Sequence, residues 1–380
     1  MWRVAGGTMC LCALLIFGGC QAVPVSNVNT TTNATPSPAS SATPVALGNA
    51  NSNNQPETLP ADAAAVSTTP NAVPTDTRIV VNAPAYRMDV FENGQLVKTY
   101  KVGIGYPEFP LPTGMRKADT IIFNPTWTPP DEPWVESPSS QVKVGEEVAA
   151  GSPLNPLGLI KIPIGLPSLI HGGKVAAKLG GFASHGCVGL TNPQVQDVAR
   201  VLAQIGGAQF TDEDMATYAK NRTETKEVKL DKPVPVELRY ETIVVEDGKL
   251  HIYRDVYDRN TNTEENLRAA LTASGVSLDS LTEAERTKVL AALKQMARDA
   301  TGQPADGQPD AAPTATPAAA NKNAKTDAES RKVTRTIKGQ TEIAIELAAL
   351  KGKGYPAPVA LDTGSGAAKK SATATKKKSV

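Results

Sequence analysis

The chain has 380 residues, of which 40% are hydrophobic, and its 39 basic and 38 acidic side chains leave a formal net charge of only +1. Proteins whose main task is nucleic-acid binding carry a clear basic excess, so this balance argues against that class. Three of the four cysteines lie in the first twenty residues, which leaves Cys187 alone in the rest of the chain.

The amino terminus has the layout of a secretory signal peptide. Arg3 precedes an apolar run from Leu11 to Phe17, which is far too short to span a membrane. The run ends in Gly18-Gly19-Cys20, which resembles the lipobox of bacterial lipoproteins. We expect removal of residues 1–19 and lipidation of Cys20, which would anchor the protein to the membrane on the periplasmic side of the cell envelope. An ordinary cleaved signal peptide is the alternative.

Residues 20–77 are predicted to form a tether. Most of this segment is Asn, Thr, Ser, Ala and Pro, with almost no large apolar side chain. Such a composition cannot bury a core, so we expect a disordered segment that lets an anchored domain reach the cell wall.

Folded structure is predicted from residue 78 onward. RIVVN and YRMDVF have strand patterns, and Glu92-Asn93-Gly94 is a strong hairpin turn before the strand QLVKTYKVG. The proline-rich stretch 106–156 is expected to contain long loops around a groove, where Trp127 and Trp134 either line a peptide or glycan cleft or pin the loop to the sheet. Further short strands are predicted at 115–123, 159–164 and 167–171.

The most informative segment, HGGKVAAKLGGFASHGC, runs from His171 to Cys187 and holds two of the three histidines. A thiol attacks carbonyls well only as the thiolate, and a free cysteine near pKa 8.5 is mostly protonated at neutral pH, so a nearby imidazole base is needed. The intervening glycines permit the tight turns that would bring the two side chains together. This pattern favours a cysteine nucleophile with a histidine base. The alternative is a buried structural cysteine with two hydrogen-bonded histidines.

At these residues the chain resembles the L,D-transpeptidase catalytic domain (YkuD domain) of bacterial cell-wall enzymes. That family carries His-Gly upstream and Ser/Thr-His-Gly-Cys downstream, matched here by His171-Gly172 and by Ser184-His185-Gly186-Cys187. NPTWTPP at 124–130 and NPLG at 155–158 are similar to the family's groove segments. The resemblance covers residues 78–258 and implies a mainly β, sandwich- or barrel-like domain with a few helices.

The resemblance implies a peptidoglycan L,D-transpeptidase. Cys187 would attack the amide before the D-Ala at position four of a stem peptide, form a thioester and release D-Ala, and an acceptor amine would then take the acyl group. His171 would be the general base, oriented by the carbonyl of Gly172, while Ser184 and His185 would shape the pocket. The N–H groups of Gly186 and Cys187 are candidates for the oxyanion hole.

Trp127, Gly173 and Lys174 are predicted to contact the substrate. No metal or other cofactor is expected, because no motif places a carboxylate or a fourth ligand beside the histidines and the cysteine. The expected partners are peptidoglycan stem peptides and, through the lipid, the membrane.

The chain departs from the family at Gly189, where the family usually has arginine. This departure puts in doubt how acidic groups of the substrate, or the catalytic loop, are held; Lys161 and Lys174 are the nearest cations in the sequence. Three alternatives stay open: an L,D-carboxypeptidase that transfers to water, an enzyme that transfers to a lysine of an envelope protein, and, because of Gly189, an inactive peptidoglycan-binding domain.

Beyond the motif, Asn192-Pro193 is interpreted as the N-cap and first position of a helix that ends at Gly206-Gly207. VPVELRYETIVV and KLHIYRDVY are predicted to pair as a hairpin through Glu246-Asp247-Gly248. His251 lies in the second of these strands and is interpreted as structural or exposed.

The remainder of the chain is predicted to be an extension. Residues 259–302 are expected to be helical, with Thr282 and Glu285 forming a capping box, and either to dock on the catalytic domain as a helix pair or to form a small partner-binding unit. Residues 303–330 are expected to be a disordered linker. Residues 331–380 are expected to hold a short helical segment and a basic tail, which either contacts anionic polymers or headgroups or stays solvated.

Overall fold

The structure, a computed structural model, describes residues 69–304 and 334–365. The predicted signal peptide, Cys20, most of the tether, most of the linker and the basic end of the tail lie outside these residues, and those assignments stay predictions. No helix within the described residues is long and apolar enough to cross a membrane.

The described residues before position 240 contain one curled, eight-stranded mixed sheet. Its strand order is β3-β2-β1-β10-β5-β6-β7-β9, in which β1 and β10 are parallel, as are β7 and β9, and the other neighbours are antiparallel. β4 and β8 pair separately. The mainly β class predicted from the sequence is confirmed. The strands are β1 Arg78–Asn82, β2 Arg87–Glu92, β3 Gln95–Lys101, β4 Ile104–Gly105, β5 Gly114–Phe123, β6 Ile160–Pro163, β7 Leu169–His171, β8 Phe182–Ser184, β9 Val188–Gly189 and β10 Lys226–Arg239.

The first hairpin has the turn that its sequence predicts. Asn93 and Gly94 both adopt positive φ, 51° and 78°, as a two-residue turn that matches the twist of its strands requires. Glu92 and Gln95 pair directly across it, so the turn sets the register of β2 against β3.

Helix α1 (Asn192–Gly206) packs on the sheet and begins three residues after β9 ends at Gly189. Val195, Val198 and Leu202 on its inner face are fully buried. The N-cap is Thr191 and not Asn192 as the sequence suggested: the Thr191 hydroxyl accepts from Gln194 N–H, and the Gln194 side chain returns to Thr191 N–H, which completes a capping box. This correction frees the Asn192 side chain for contacts outside the helix. A further helix, α2 (Asp212–Lys220), was not predicted.

A second core follows residue 240. Strands β11 (Ile243–Glu246), β12 (Lys249–Tyr253) and β13 (Glu342–Glu346) form a three-stranded antiparallel sheet. Helices α3 (Glu264–Ala273) and α4 (Glu283–Met296) pack against it, and Ile243, Val245, Leu250 and Ile252 are buried between them. Thr282 and Glu285 form the predicted capping box.

Two predictions for this region are wrong in detail. VPVELRYETIVV is not one strand, because VPVELR ends β10 in the large sheet and only the following residues, β11, pair with β12. The short helical segment expected after residue 331 is chiefly the strand β13, followed by one three-residue 3₁₀ turn, Ala348–Leu350. His251 lies in β12, where its Nδ1 pairs with a Glu342 carboxylate oxygen of β13 at 2.5 Å, in keeping with its interpretation as structural.

The last described residues return to the large sheet. Lys101 N–H donates to the Asp362 carbonyl at 2.9 Å, and Asp362 N–H donates to the Thr99 carbonyl at 2.9 Å. The Gln194 side-chain amide of α1 also donates to the Asp362 carbonyl at 2.9 Å. The chain end thus closes over β3 and the start of α1, close to the strands that carry the motif.

Candidate active site

The sheet brings the two halves of the histidine-cysteine motif together. His171 ends β7, Cys187 directly precedes β9, and these strands are parallel neighbours with His171 opposite Gly189. Adjacent strands lie about 4.8 Å apart and two residues span about 6.5 Å, so the imidazole and the thiol are held one strand and two residues from each other. The sequence separation of sixteen residues is therefore bridged by strand pairing.

His171 is buried, with 2% of its surface exposed. Its Nδ1 lies 2.8 Å from the Gly172 carbonyl, and since a carbonyl can only accept, Nδ1 carries the proton and Nε2 keeps its lone pair. Burial, together with the charge of Lys174, lowers the pKa of His171 to about 3, and backbone hydrogen bonds at Gly172 and Leu157 act in the opposite direction. The resting imidazole is therefore neutral and able to accept a proton.

Cys187 is partly buried and is the free thiol of the described residues. Burial raises its pKa, while a backbone hydrogen bond at Leu169 and the charge of Lys174 lower it. A raised thiol pKa beside a lowered imidazole pKa means that both groups rest in their neutral forms, so a thiolate-imidazolium pair is not formed in advance. The proton must move when the substrate arrives.

The turn that carries Cys187 is fixed by two serines. The Ser184 hydroxyl donates to the Cys187 carbonyl at 2.6 Å and accepts from the Cys187 N–H at 3.0 Å. The buried Ser168 hydroxyl donates to the Gly186 carbonyl at 2.9 Å. Gly186 itself adopts φ of +89°, a left-handed conformation that glycine reaches without strain. Ser184 therefore orients the backbone of Cys187.

The two predicted oxyanion donors differ in the structure. The Cys187 N–H already donates to Ser184, so it would have to exchange that acceptor for the substrate oxygen. For the Gly186 N–H, the described residues show no protein acceptor. Gly186 is thus the readier donor of the pair.

Lys174 occupies the space that Gly189 leaves. A Cβ placed on Gly189 would lie 2.9 Å from Lys174 Cγ and 3.1 Å from its Cε, so the lysine stem packs directly over the glycine. Lys174 N–H is held by the Leu190 carbonyl at 2.9 Å. Burial lowers the pKa of Lys174, and Cys187 acts to raise it. Lys174, in the loop after β7, therefore fills the space that a side chain at Gly189 would occupy, and its charge lowers the pKa of the Cys187 thiol.

Lys161 is not part of this arrangement. It pairs in register with His171, but its Nζ donates to the Thr126 carbonyl at 3.3 Å, and burial lowers its pKa while Glu227 and Glu147 raise it. Lys161 therefore ties β6 to the loop after β5.

His185 lies in an aromatic wall next to the cysteine turn. Its ring stacks on Trp134 at 3.9 Å between centroids and meets the edges of Tyr106 and Phe109 at 5.0 Å each. Trp127 stacks behind Trp134 at 6.2 Å. Burial, together with the charges of Arg335 and Lys174, lowers the pKa of His185 to about 4. Trp127 and Trp134 thus carry the loop to the motif and form one side of the site; the aromatic wall comprises Tyr106, Phe109, Trp127, Trp134 and His185.

Gly172 and Gly173 join β7 to a cleft of about 330 Å³. Asn192 Oδ1 accepts from the N–H groups of Gly173 at 2.9 Å and Leu159 at 3.0 Å, so one side chain holds two loops. A Cβ on Gly172 would lie 2.6 Å from that oxygen, which explains the glycine. The cleft is lined by Gly173, Gly158, Asn155, Asn124, Asn192 and Arg222.

Several residues of the site were not predicted from the sequence. Ser168, Phe109 and Asn192 reach the motif through tertiary contacts, and Arg335 reaches it from the far end of the chain. Ser168, three residues before His171, and Asn192, five residues after Cys187, stood near enough to the motif for their polar side chains to raise suspicion. Within the described residues, no group of three or more His, Cys, Asp or Glu side chains is arranged to hold a metal ion.

Comparison with known proteins finds similarity to one family over the stretch that holds this site. Residues 76–235 match the model of the L,D-transpeptidase catalytic domain, YkuD, which confirms the resemblance drawn from the motif. The chain is 31% identical over 137 residues to the probable L,D-transpeptidase YbiS of Escherichia coli strain K12, and equally to that of strain CFT073. Each match covers 36% of this chain and 44% of the relative, so the chain spans less than half the length of these curated relatives.

Solved structures similar to this chain include two from the same family. An L,D-transpeptidase from Mycobacterium smegmatis is 15% identical, with a TM-score of 0.27, over 43% of this chain and 58% of its own. The catalytic domain of the Enterococcus faecium L,D-transpeptidase is 15% identical, with a TM-score of 0.28, over 44% of this chain and all of its own.

Proposed function

We propose, for a chain whose residues 76–235 match the L,D-transpeptidase catalytic domain family, that it is a peptidoglycan L,D-transpeptidase with Cys187 as nucleophile and His171 as base. The observation that carries the proposal is the pairing of β7 with β9. This pairing places His171, whose Nδ1 is held by the Gly172 carbonyl, on the strand next to β9. Cys187, the only free thiol among the described residues, directly precedes β9.

The first half-reaction follows from the neutral pair. The Cys187 sulfur attacks the carbonyl carbon of the third stem residue as its proton passes to His171 Nε2, and the carbonyl oxygen takes the negative charge beside the Gly186 N–H. Collapse breaks the amide bond. The departing D-Ala nitrogen receives the proton from His171, which leaves a thioester on Cys187 and a neutral imidazole.

The second half-reaction reverses these roles. An acceptor amine attacks the thioester carbonyl, His171 takes the amine proton, and the thiolate leaves and is reprotonated as the new amide forms. Lys174 would stabilise the thiolate in both halves, because its charge lowers the pKa of Cys187 and its stem is held over Gly189.

The stem peptide would lie along the aromatic wall and the cleft at Gly173. Trp127 and Trp134 offer flat apolar surfaces beside His185, and the cleft offers backbone and amide groups. Secretion through residues 1–19, anchoring at Cys20 and action on the periplasmic side of the cell envelope complete the proposal, with a wall amine or an envelope-protein lysine as acceptor.

The test is mass spectrometry of the products formed when the chain without its first twenty residues is incubated with disaccharide tetrapeptides. The proposal expects loss of D-Ala with formation of dimers linked through the third residue of the donor. Loss of D-Ala with only tripeptide products would identify an L,D-carboxypeptidase. Retention of D-Ala under conditions where the peptide binds would leave the binding-domain alternative. Cys187→Ala is the matched control and must release no D-Ala.

A further inference from the structure

The segment that follows the linker comes back to the active site. Ile337 packs against the core of the large sheet, and Lys338 N–H donates to the Ala300 carbonyl at 3.0 Å. The Gln340 carbonyl accepts from Arg254 Nη2 at 2.6 Å before the chain enters β13. These three contacts fix the position of residues 334–340, so Arg335 is presented from an anchored segment.

The Arg335 guanidinium lies on the aromatic wall. Its central carbon is 4.0 Å from the centroid of the Tyr106 ring, and Tyr106 in turn meets the edge of His185 at 5.0 Å. Of the two cations that lower the pKa of His185, Arg335 has a larger effect than Lys174. Arg335 therefore places a positive charge at the rim of the site, near His185, which lies two residues before Cys187 in the sequence.

The ion pair that Arg335 forms within the chain leaves its guanidinium accessible to an incoming anion. Glu108 is its ion-pair partner at 3.4 Å, and the two side chains are 48% and 27% exposed. Exposed ion pairs contribute little to stability, and a guanidinium has five N–H donors in a fork that suits carboxylates. An incoming carboxylate can therefore compete with Glu108 for the same group.

We infer that the C-terminal part of the chain supplies Arg335 as a specificity residue, which holds a carboxylate of the stem peptide at the rim of the active site. This inference rests on the proposed function and deepens it. Gly189 carries no cation, and the Lys174 stem is packed over Gly189, where its charge lowers the pKa of Cys187. Arg335 adds a cation on the side of the aromatic wall, where its guanidinium rests on the Tyr106 ring in a cation-π contact.

The test that needs no transpeptidase activity is alkylation of Cys187. Iodoacetate and iodoacetamide both alkylate the thiolate: an S–C bond forms as the C–I bond breaks and iodide leaves. Iodoacetate transfers a carboxymethyl group and iodoacetamide a carbamoylmethyl group, and only iodoacetate is an anion. The rate ratio of iodoacetate to iodoacetamide should fall about threefold or more in Arg335→Gln, stay near wild type in Arg335→Lys, and rise in Glu108→Gln, which loses the competing carboxylate. The difference should shrink as salt is added. The control is Arg200→Gln, which removes an exposed arginine of α1 that pairs with Asp212 of α2.

Two outcomes would overturn the inference. An unchanged ratio in Arg335→Gln would show that its charge does not reach the site. A rise of both rates would show that residues 334–340 cover the thiol and do not attract anions. Thermal unfolding of each variant excludes a loss of fold as the cause.

Turnover then tests the ligand. With tetrapeptides carrying free carboxylates, Arg335→Gln should raise KM severalfold while kcat stays near wild type, and with peptides whose carboxylates are amidated the variant and wild type should agree. Equal KM values on both substrates would overturn the assignment of the carboxylate. If wild type turns over no peptide, the proposed function fails, and the alkylation ratio still decides the role of Arg335.

Discussion

At the residue scale, the site combines a neutral imidazole and a neutral thiol with a cation, Lys174, whose charge acts on both. The pKa of His171 is lowered by burial and that of Cys187 is raised by burial. Keeping both groups neutral at rest avoids the free-energy cost of burying a charge. The thiolate is then needed only during the reaction, when Lys174 can stabilise it.

The first prediction concerns the base and the nucleophile. Cys187→Ala should release no D-Ala, because no thioester can form. His171→Ala should lower kcat by roughly 10²- to 10⁴-fold, the usual contribution of a general base. Release of D-Ala from tetrapeptides, followed by mass spectrometry, measures both. Turnover by Cys187→Ala at the wild-type rate would exclude the cysteine mechanism.

The second prediction concerns Lys174. Because its charge lowers the pKa of Cys187, Lys174→Met should raise that pKa and move the pH profile of iodoacetamide alkylation to higher pH. Lys174→Ala should also raise KM for the peptide if the ammonium meets substrate. Lys178→Met, in the nearby 3₁₀ turn, is the control and should leave the profile unchanged.

The space over Gly189 provides a second check on the same group. Gly189→Arg alone places a Cβ 2.9 Å from Lys174 Cγ and should displace the lysine. The pair Lys174→Ala with Gly189→Arg removes that clash and supplies a guanidinium to the same region, so it should be more active than Gly189→Arg alone. Equal activity of the single and double variants would show that the two positions do not share one space.

At the element scale, Asn192 joins three parts of the molecule: the first turn of α1, the loop before β6 and the loop after β7. Its Oδ1 accepts from Leu159 N–H and Gly173 N–H. Thr191 caps the same helix but contacts neither loop through its side chain. The cap and the loop clamp are therefore separate functions of neighbouring residues.

The third prediction separates the helix cap formed by Thr191 from the loop clamp formed by Asn192. Asn192→Ala leaves two backbone donors without their acceptor, which should cost about 1–3 kcal/mol of unfolding free energy and also lower kcat, since the His171–Gly173 loop is released. Asn192→Asp keeps an oxygen and should be milder. Thr191→Ala should cost about 1 kcal/mol through the lost cap with a smaller effect on kcat. Urea unfolding and D-Ala release measure the two effects. A kcat loss that follows stability alone in all three variants would contradict a clamp.

Local patterns predicted the elements whose determinants are local. The Asn93-Gly94 turn, the apolar face of α1 and the Thr282–Glu285 capping box depend on residues a few positions apart, and all three are present. β13 depends on pairing with β12 some ninety residues away, and EIAIELAAL alone resembles a helix. The same limit applies at the site. The motif identified His171 and Cys187 by spacing, whereas the contacts of Lys174 with Gly189 and of Arg335 with Tyr106 exist only in the folded chain.

At the scale of the whole molecule, stability should depend on pH through His171. Its pKa is about 3 when folded and near 6.5 when unfolded, so the unfolded chain binds the extra proton between these values. Stability should therefore be fully present above about pH 6.5 and fall as the pH drops toward 3, by at most about 1.4 kcal/mol per pH unit for this group.

The fourth prediction is that His171→Gln flattens this part of the curve. Buried carboxyls with raised pKa values, such as Asp89 and Glu246, have the opposite sign, so the difference between wild type and variant isolates the histidine. Urea unfolding at several pH values from 7 to 4 measures it. Parallel curves would show that His171 is not held neutral in the folded protein.

The β11–β12 hairpin joins the two cores because it is buried on both faces. Ile243, Val245, Leu250 and Ile252 face α3 and α4, whereas Val244 and Tyr253 pack with Val80 and Phe91 of the large sheet. An ion pair of 2.5 Å between Arg87 and Glu246 links β2 to β11 in the same buried interface. The strand pattern of the hairpin therefore specifies a junction, and residue 258 is not a boundary between independent units.

The last prediction tests that junction by truncation. A chain of residues 69–258 keeps the match to the family model but loses α3, α4 and β13, so four buried side chains of the hairpin become exposed, at about 1.5–3 kcal/mol each. It also loses the contacts of Asp362 with Lys101 and Gln194 beside α1. We expect a lower melting temperature, binding of a hydrophobic dye and reduced turnover relative to residues 69–380, which should unfold in one transition. A truncated chain as stable as the longer one would show that the second core folds separately. A stable but slower chain would point to Arg335 and the returning carboxyl-terminal segment as the parts that the catalytic domain cannot supply alone.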